Sequence, residues 1–329
     1  MTDILFPLYV LIFIGTLLLT LVAEHALIPR LTAIAAQPIY EDGPRWHMNK
    51  QGTPTMGGLA FLLAIAVNLI VSSIILFVID RKVEAISLSI TILFSLLNAG
   101  IGILDDTLKL RRKKNAGLSP REKLILQFLI AIIFLMARKY FFSDTSTLYF
   151  SFAEIDLGFL YYPLAIVLLL GIINCANLTD GIDGLASCVA FSVGTVLFFI
   201  SYANFTDVSI ISATLIAATA GFLFFNLHPA KIFMGDTGSL FLGSLVASAA
   251  FSLKNPALII PISGVYIIEG ISVILQVIVF KLTRKRIFKM APLHHHMEKC
   301  GYSENKICIM AMIVTILLSF PILFLMKKL

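Results

Sequence analysis

Apolar residues run along this chain in long blocks separated by short polar stretches. Ten blocks reach or approach the length of a spanning helix: about 4–28, 57–79, 86–104, 122–140, 160–176, 184–203, 209–228, 238–253, 257–281 and 306–326. Crossing the hydrocarbon of a bilayer takes about 20 predominantly apolar residues in helical form. The fifth and eighth blocks carry the weakest signal. Segment 143–159 behaves differently. It alternates in part and is rich in aromatic and β-branched residues, which predicts a short β-hairpin. No repeat, low-complexity tract or flexible linker divides the chain, so residues 1–329 read as a single polytopic domain. The first block has no basic segment before it and outruns a signal-peptide core, so it reads as a retained helix.

Ten spans put both termini on one side of the membrane, and the basic residues decide which side. Segments 29–56, 105–121, 177–183, 229–237 and 282–305, with the flanking Lys123, Lys281 and Lys306, hold 18 of the 25 Lys and Arg residues. The positive-inside rule places these segments in the cytoplasm and both termini outside. The predicted class is an all-α integral membrane protein with ten transmembrane helices, extracytoplasmic termini, cytoplasmic active-site loops and a short external β-hairpin. Composition agrees: 59% of residues are hydrophobic, 13% are charged, and the mean hydropathy is +0.96. A soluble domain is about 25% charged. Topology accounts for most of the net charge of +6, and the remainder is available to an anionic substrate. Nothing resembles a nucleic-acid module, so no nucleic-acid partner is expected. The four cysteines have no CxxC spacing and suggest neither a disulfide framework nor a zinc site.

The polar clusters all fall on the predicted cytoplasmic side, where a membrane protein tolerates acids mainly for function. Lys50 precedes Gly52-Thr53-Pro54-Thr55-Met56-Gly57-Gly58, whose backbone N–H groups could face an anion or could simply begin a helix capped by Thr. Asp105 and Asp106 are adjacent at the end of the third block, close to Lys109. Two neighbouring carboxylates repel, and the helix dipole disfavours them at a C-terminus, so a divalent cation or cationic group is the better reading. Asn174, Asn177, Asp180 and Asp183 recur at three-residue spacing around Leu178 and Gly181. That pattern shares one face if helical and is too short for an EF-hand loop. Asn226 and Phe233 lead to Asp236 in a Gly-flanked turn, where the acid could cap a helix or bind a metal. His294, His295 and His296 are consecutive. On a helix their side chains diverge by about 100° each, so one metal cannot take all three, and phosphate binding fits better.

In order, RWHMNKQGTPTMGG, LDDTLK, NCANLTDGIDGL, FNLHPAKIFMGDTGS and PLHHHME resemble the polyprenyl-phosphate N-acetylhexosamine-1-phosphate transferase superfamily, most closely its phospho-N-acetylmuramoyl-pentapeptide transferase branch. The resemblance runs from about residue 40 to 305. It implies Mg²⁺-dependent transfer of phospho-MurNAc-pentapeptide from UDP-MurNAc-pentapeptide to undecaprenyl phosphate, with release of UMP, at the cytoplasmic face of the bacterial inner membrane. It implies catalytic roles for Asp105, Asp106, Asp236, His294 and His295, with the three aspartates as metal ligands. It implies substrate binding by Lys50, Thr55, Asn174, Asn177, Leu178, Asp180, Gly181, Asp183, Asn226, Phe233 and His296, and more weakly by Lys109 and Gln276. A homodimer is a family-level expectation. A sister transferase using UDP-GlcNAc or another UDP-sugar is the nearest alternative. A transporter should carry its polar residues near the bilayer midplane and show inverted repeats, and this chain does neither.

The implied reaction exchanges one phosphoanhydride for another, so it needs no ATP site, and no Walker A motif is present. Direct attack by the lipid phosphate and a covalent aspartyl-phosphate route both remain open at the level of sequence.

Overall fold

The structure is a computed structural model, described over residues 2–34, 50–112, 117–142, 146–150, 153–204, 206–253 and 255–322. The Arg45–Asn49 part of the first motif lies outside the described residues. The chain folds into helices α1 (Thr2–Ile34), α2 (Gly58–Val78), α3 (Lys82–Arg112) and α4 (Pro120–Phe142), then strands β1 (Thr147–Tyr149) and β2 (Glu154–Asp156). There follow α5 (Tyr161–Thr179), α6 (Leu185–Ser201), α7 (Thr206–Asn226), α8 (Gly235–Ser252), α9 (Ile259–Ile262), α10 (Gly264–Thr283), α11 (Leu293–Lys299) and α12 (Glu304–Ser319).

Over the described residues each apolar block lies mainly on helix. Among the described residues seven helices are long and apolar enough to cross a membrane: α1 from Phe6, α2, α3, α4, α5 with its preceding turn, α7 and α10. Helix α6 is apolar but shorter, at 17 residues. Leu11, Leu18, Ile74, Met136, Val167, Phe199 and Ile274 all stand exposed on the outside of the bundle. A water-soluble protein rarely shows so continuous an apolar surface, whereas lipid solvates it readily. The chain is a multi-pass membrane protein.

Two local differences from the sequence expectation bear on the site. Helix α3 continues past the apolar block to Arg112, so Asp105, Asp106 and Lys109 are helical rather than in a loop. Lys109, Arg111 and Arg112 in its last turn suit the negative end of the helix dipole. The block 257–281 is broken. A short turn at Pro256–Leu258 and the four-residue α9 give way at Ser263 to α10. The predicted hairpin is present as an antiparallel pair, Thr147 opposite Asp156 and Tyr149 opposite Glu154. Residues 143–145 and 151–152 of that segment lie outside the described residues.

Helix α8 is the axis of the bundle. Every residue from Thr237 to Ser252 is buried, and α3, α5 and α2 surround it. Small residues permit this closeness, as is usual where helices pack without a hydrophobic drive between them. A Cβ on Gly58 would lie 2.3 Å from the Gly238 Cα, and one on Gly243 would lie 2.9 Å from the Ile173 Cα. The first turns of α2, α4, α6, α8 and α12 therefore meet the last turns of α3, α5 and α7 at one end of the bundle. Gly58 N–H donates to the Met234 carbonyl there at 3.0 Å, and Gly184 N–H to Asn226 Oδ1 at 3.1 Å.

Candidate active site

Adjacent residues on a helix point about 100° apart, and the two aspartates of α3 use that divergence. Asp106 turns to the start of α8, where first-turn N–H groups lack helical partners. It accepts from Asp236 N at 3.2 Å, Thr237 N at 2.9 Å and Thr237 Oγ1 at 2.7 Å. Asp105 is fully buried and turns the other way. Its Oδ1 accepts from Leu118 N at 2.6 Å, and its Oδ2 pairs with Lys109 Nζ at 2.6 Å and Lys123 Nζ at 3.0 Å. The same two ammonium groups reach Asp236 Oδ2, Lys123 at 2.5 Å and Lys109 at 3.3 Å. Asn177 Nδ2 donates to the other oxygen of Asp236 at 3.0 Å.

Backbone contact makes this convergence possible. A Cβ on Gly102 would lie 2.3 Å from the Asp236 carbonyl oxygen. Gly235 has φ +73°, and a Cβ there would lie 2.7 Å from Asp106 Oδ2. The result is three carboxylates, Asp105, Asp106 and Asp236, each offering an oxygen within 4.8 Å of the others. The set could hold a metal ion. All donors are hard oxygens, and two ammonium groups already bridge Asp105 and Asp236, so the site is built to receive positive charge.

A second cluster gathers around Asp183, in the turn between α5 and α6. Lys50 Nζ sits 2.7 Å from Asp183 Oδ1 and 2.7 Å from Glu304 Oε2. His228 Nδ1 lies 2.9 Å from Asp183 Oδ2 and 3.2 Å from Glu304 Oε1. Ala230 N donates to Asp183 Oδ2 at 3.1 Å, and Asp183 N donates to Glu304 Oε2 at 2.7 Å. Asn226 bolts the neighbouring loops together, accepting from Gly184 N and donating to the Ile232 carbonyl at 2.9 Å.

Asp180 lies between the two clusters. Burial, then the charges of Asp236, Asp106 and Asp183, push its carboxyl up to about 8. The third cluster closes on the same turn. His294 is fully buried at the start of α11, and its Nδ1 lies 3.2 Å from Glu269 Oε2. Among the described residues its Nε2 has no hydrogen-bond partner, and it faces Gly181, where an added Cβ would lie 2.2 Å away. His295 Nδ1 lies 2.6 Å from Glu298 Oε2, and His296 Nδ1 accepts from Lys289 N at 3.1 Å.

The fold thus brings together Asp105, Asp106, Lys109, Asn177, Asp180, Gly181, Asp236 and His294, with Lys50 and Asp183 alongside. Thr55 stands by Gly235, 3.0 Å from where its Cβ would be. Phe233 is pinned through its backbone, its N–H donating to the Pro54 carbonyl and its carbonyl accepting from Gly57. Leu178 is exposed, and Asn174 Nδ2 donates to Gln127 Oε1 at 2.7 Å. Gln276 is committed to the basic loop: its Oε1 accepts from Ile287 N and Phe288 N, and its Nε2 donates to the Phe288 carbonyl. Sequence reasoning missed Lys123, Glu269 and Glu304 as site residues. Glu269 carried a readable signal, being an acid inside an apolar block. All four cysteines are free.

Residues 87–254 match the profile of glycosyl transferase family 4, and residues 50–62 match phospho-N-acetylmuramoyl-pentapeptide-transferase signature 1. The first span holds all three clustered aspartates, and the second holds Lys50 and Thr55. The phospho-N-acetylmuramoyl-pentapeptide-transferase of Caldicellulosiruptor bescii is 45% identical over 313 residues, 94% of each chain. That of Halalkalibacterium halodurans is 44% identical over 88% of this chain and 89% of its own. That of Bacillus subtilis is 42% identical over 89% of this chain and 90% of its own.

Proposed function

The chain belongs to the phospho-N-acetylmuramoyl-pentapeptide transferases, and on that premise we propose that it moves phospho-MurNAc-pentapeptide from its UDP carrier to undecaprenyl phosphate, releasing UMP. The observation that carries this reading is the three-aspartate, two-lysine cluster at one end of a membrane bundle. A lipid phosphate and a water-soluble nucleotide can meet only at such an end, and both are anions.

A lipid phosphate oxygen attacks the β-phosphorus of the donor in line. One P–O bond forms, the P–O bond to the bridging oxygen breaks, and UMP leaves with that bond's electrons. A phosphate monoester is mostly dianionic near neutral pH, because its second pKa is about 6, so the attack needs little base assistance. The barrier lies in crowding negative charge, which Lys109 and Lys123 answer directly. Asp105, Asp106 and Asp236 would hold Mg²⁺, which when bound supplies further positive charge against the phosphates. Asp105 Oδ1 and both oxygens of Asp106 already accept hydrogen bonds, and Asp105 Oδ2 is ion-paired to Lys109 and Lys123. Using either as a covalent nucleophile would break these contacts, so direct displacement is favoured. The residues around Asp183, with Lys50, Thr55, Asn226 and Phe233, bind the nucleotide end of the donor. His294, His295 and His296 serve the phosphate-bearing side.

The same reading gives a single domain of ten spans with both termini outside the bacterial cytoplasmic membrane. The site faces the cytoplasm, the hairpin lies outside, and the protein forms a homodimer. UMP release from UDP-MurNAc-pentapeptide, with undecaprenyl phosphate and Mg²⁺, tests the proposal. Turnover with UDP-GlcNAc alone would overturn the choice of donor.

A further inference from the structure

We propose that Glu304 is a positioning residue for the nucleotide-sugar donor: its carboxylate sets the place and charge of Lys50 and Asp183. The inference rests on the donor-binding role given to those two residues above. Glu304 lies beyond the span matched at 87–254 and beyond the PLHHHME motif. Its position in the first turn of α12 is favourable for an acid, since first-turn N–H groups and the helix dipole stabilise negative charge.

One carboxylate here joins four separate segments. Oε2 accepts from Lys50 Nζ and from the Asp183 backbone N–H, each at 2.7 Å, and Oε1 lies 3.2 Å from His228 Nδ1. One turn further along α12, Cys308 Sγ donates to the Asp183 carbonyl at 3.3 Å. Asp183 is therefore gripped by α12 at both its N–H and its C=O. The Glu304 side chain is 10% exposed, so its interactions are weakly screened.

The charge count explains why a second acid is needed. Lys50 is only 15% exposed and has two carboxylate neighbours. With Glu304 present, the ammonium is shared between the two, and Asp183 keeps acceptor capacity for a ligand. Without the Glu304 charge, Lys50 collapses onto Asp183 alone. The two groups then satisfy each other rather than the donor's nucleotide and diphosphate.

The test uses the full chain, purified in lipid nanodiscs. It measures UMP release with KM determined separately for UDP-MurNAc-pentapeptide and undecaprenyl phosphate. Glu304→Gln keeps the size of the side chain and an acceptor for Asp183 N–H but removes the charge. The expected result is a rise in donor KM of about tenfold or more, with lipid KM, kcat and Tm near wild type. Glu304→Asp recovers part of the loss. A donor KM within about twofold of wild type in Glu304→Gln overturns the proposal. So does a parallel change in both KM values and kcat with a lowered Tm, because that marks α12 as a structural prop only. A wild-type protein that releases no UMP from this donor overturns the transfer reading instead, which separates the two failures.

Discussion

The aspartate cluster and the Asp183 knot handle charge in opposite ways. Around Asp105, Asp106 and Asp236, three acids meet two lysines, and both lysines touch the same two acids. The backbone beneath is fixed by glycine contacts between α3 and α8. Around Asp183, two acids share one lysine, and the partners come from four loops or helix ends. The first arrangement is rigid and ready to exchange cations. The second is a hydrogen-bonding receptor whose parts are held by one another. On the proposed function, chemistry belongs to the first and recognition of the nucleotide to the second.

The sharpest way to break that division is Asp236→Asn. It removes one of the clustered carboxylates without changing shape, and kcat should fall roughly 10²–10³-fold with donor KM little moved. A loss confined to KM would merge the two regions. Next comes Lys123→Met, which leaves Asp105 and Asp236 with one ammonium. Its kcat should fall about tenfold or more, read from initial rates at saturating substrates. Gly102→Ala pushes a Cβ to 2.3 Å from the Asp236 carbonyl and should cost about 1–3 kcal/mol of stability, followed by thermal unfolding. The same change at the half-buried Gly100, where nothing lies within 4 Å of the added Cβ, should cost no stability.

A pH-dependent effect concerns Asp180, which feels both regions. Its carboxyl rises from 3.8 to about 8, so the folded protein binds a proton that the unfolded chain has lost. That contribution to stability is complete below about 4 and declines as pH rises, until it is gone above about 8. Melting curves in chelator across that window should show the decline, and Asp180→Asn should flatten it. An unchanged slope would mean that the folded protein does not hold Asp180 buried among these acids.

Much of this was legible in the sequence because bilayer burial writes itself in long apolar runs. The places that were not legible have physical reasons. Hydropathy ends at Leu104, but backbone hydrogen bonding carries α3 to Arg112. The break at Ser263 sits within a long apolar run, and its signal is local: Pro261 and the Ser263–Gly264 pair, which hydropathy alone passes over. In the site, Asp105, Asp106 and Asp236 stood out because Gly and paired acids are unusual beside spans. Lys123 and Glu304 did not, because charged residues at helix starts are commonplace. Lys123 finds Asp236 across 113 residues, and Glu304 finds Lys50 across 254. No local pattern encodes such pairings.

Because Thr237–Ser252 are wholly enclosed by other helices, α8 has no lipid neighbour to answer to. A bilayer that thickens or thins acts on a spanning protein through its outer helices, which tilt or snorkel at a modest cost per ångström of mismatch. That strain reaches α8 mainly through α2, α3 and α5, and reaches Asp236 also through Lys123 of α4. Asp236 is therefore one helix removed from the lipid, whereas Asp105 and Asp106 ride on α3, whose Leu93, Leu97 and Leu104 are exposed, so a change in acyl chains reaches the aspartate cluster from the α3 side first.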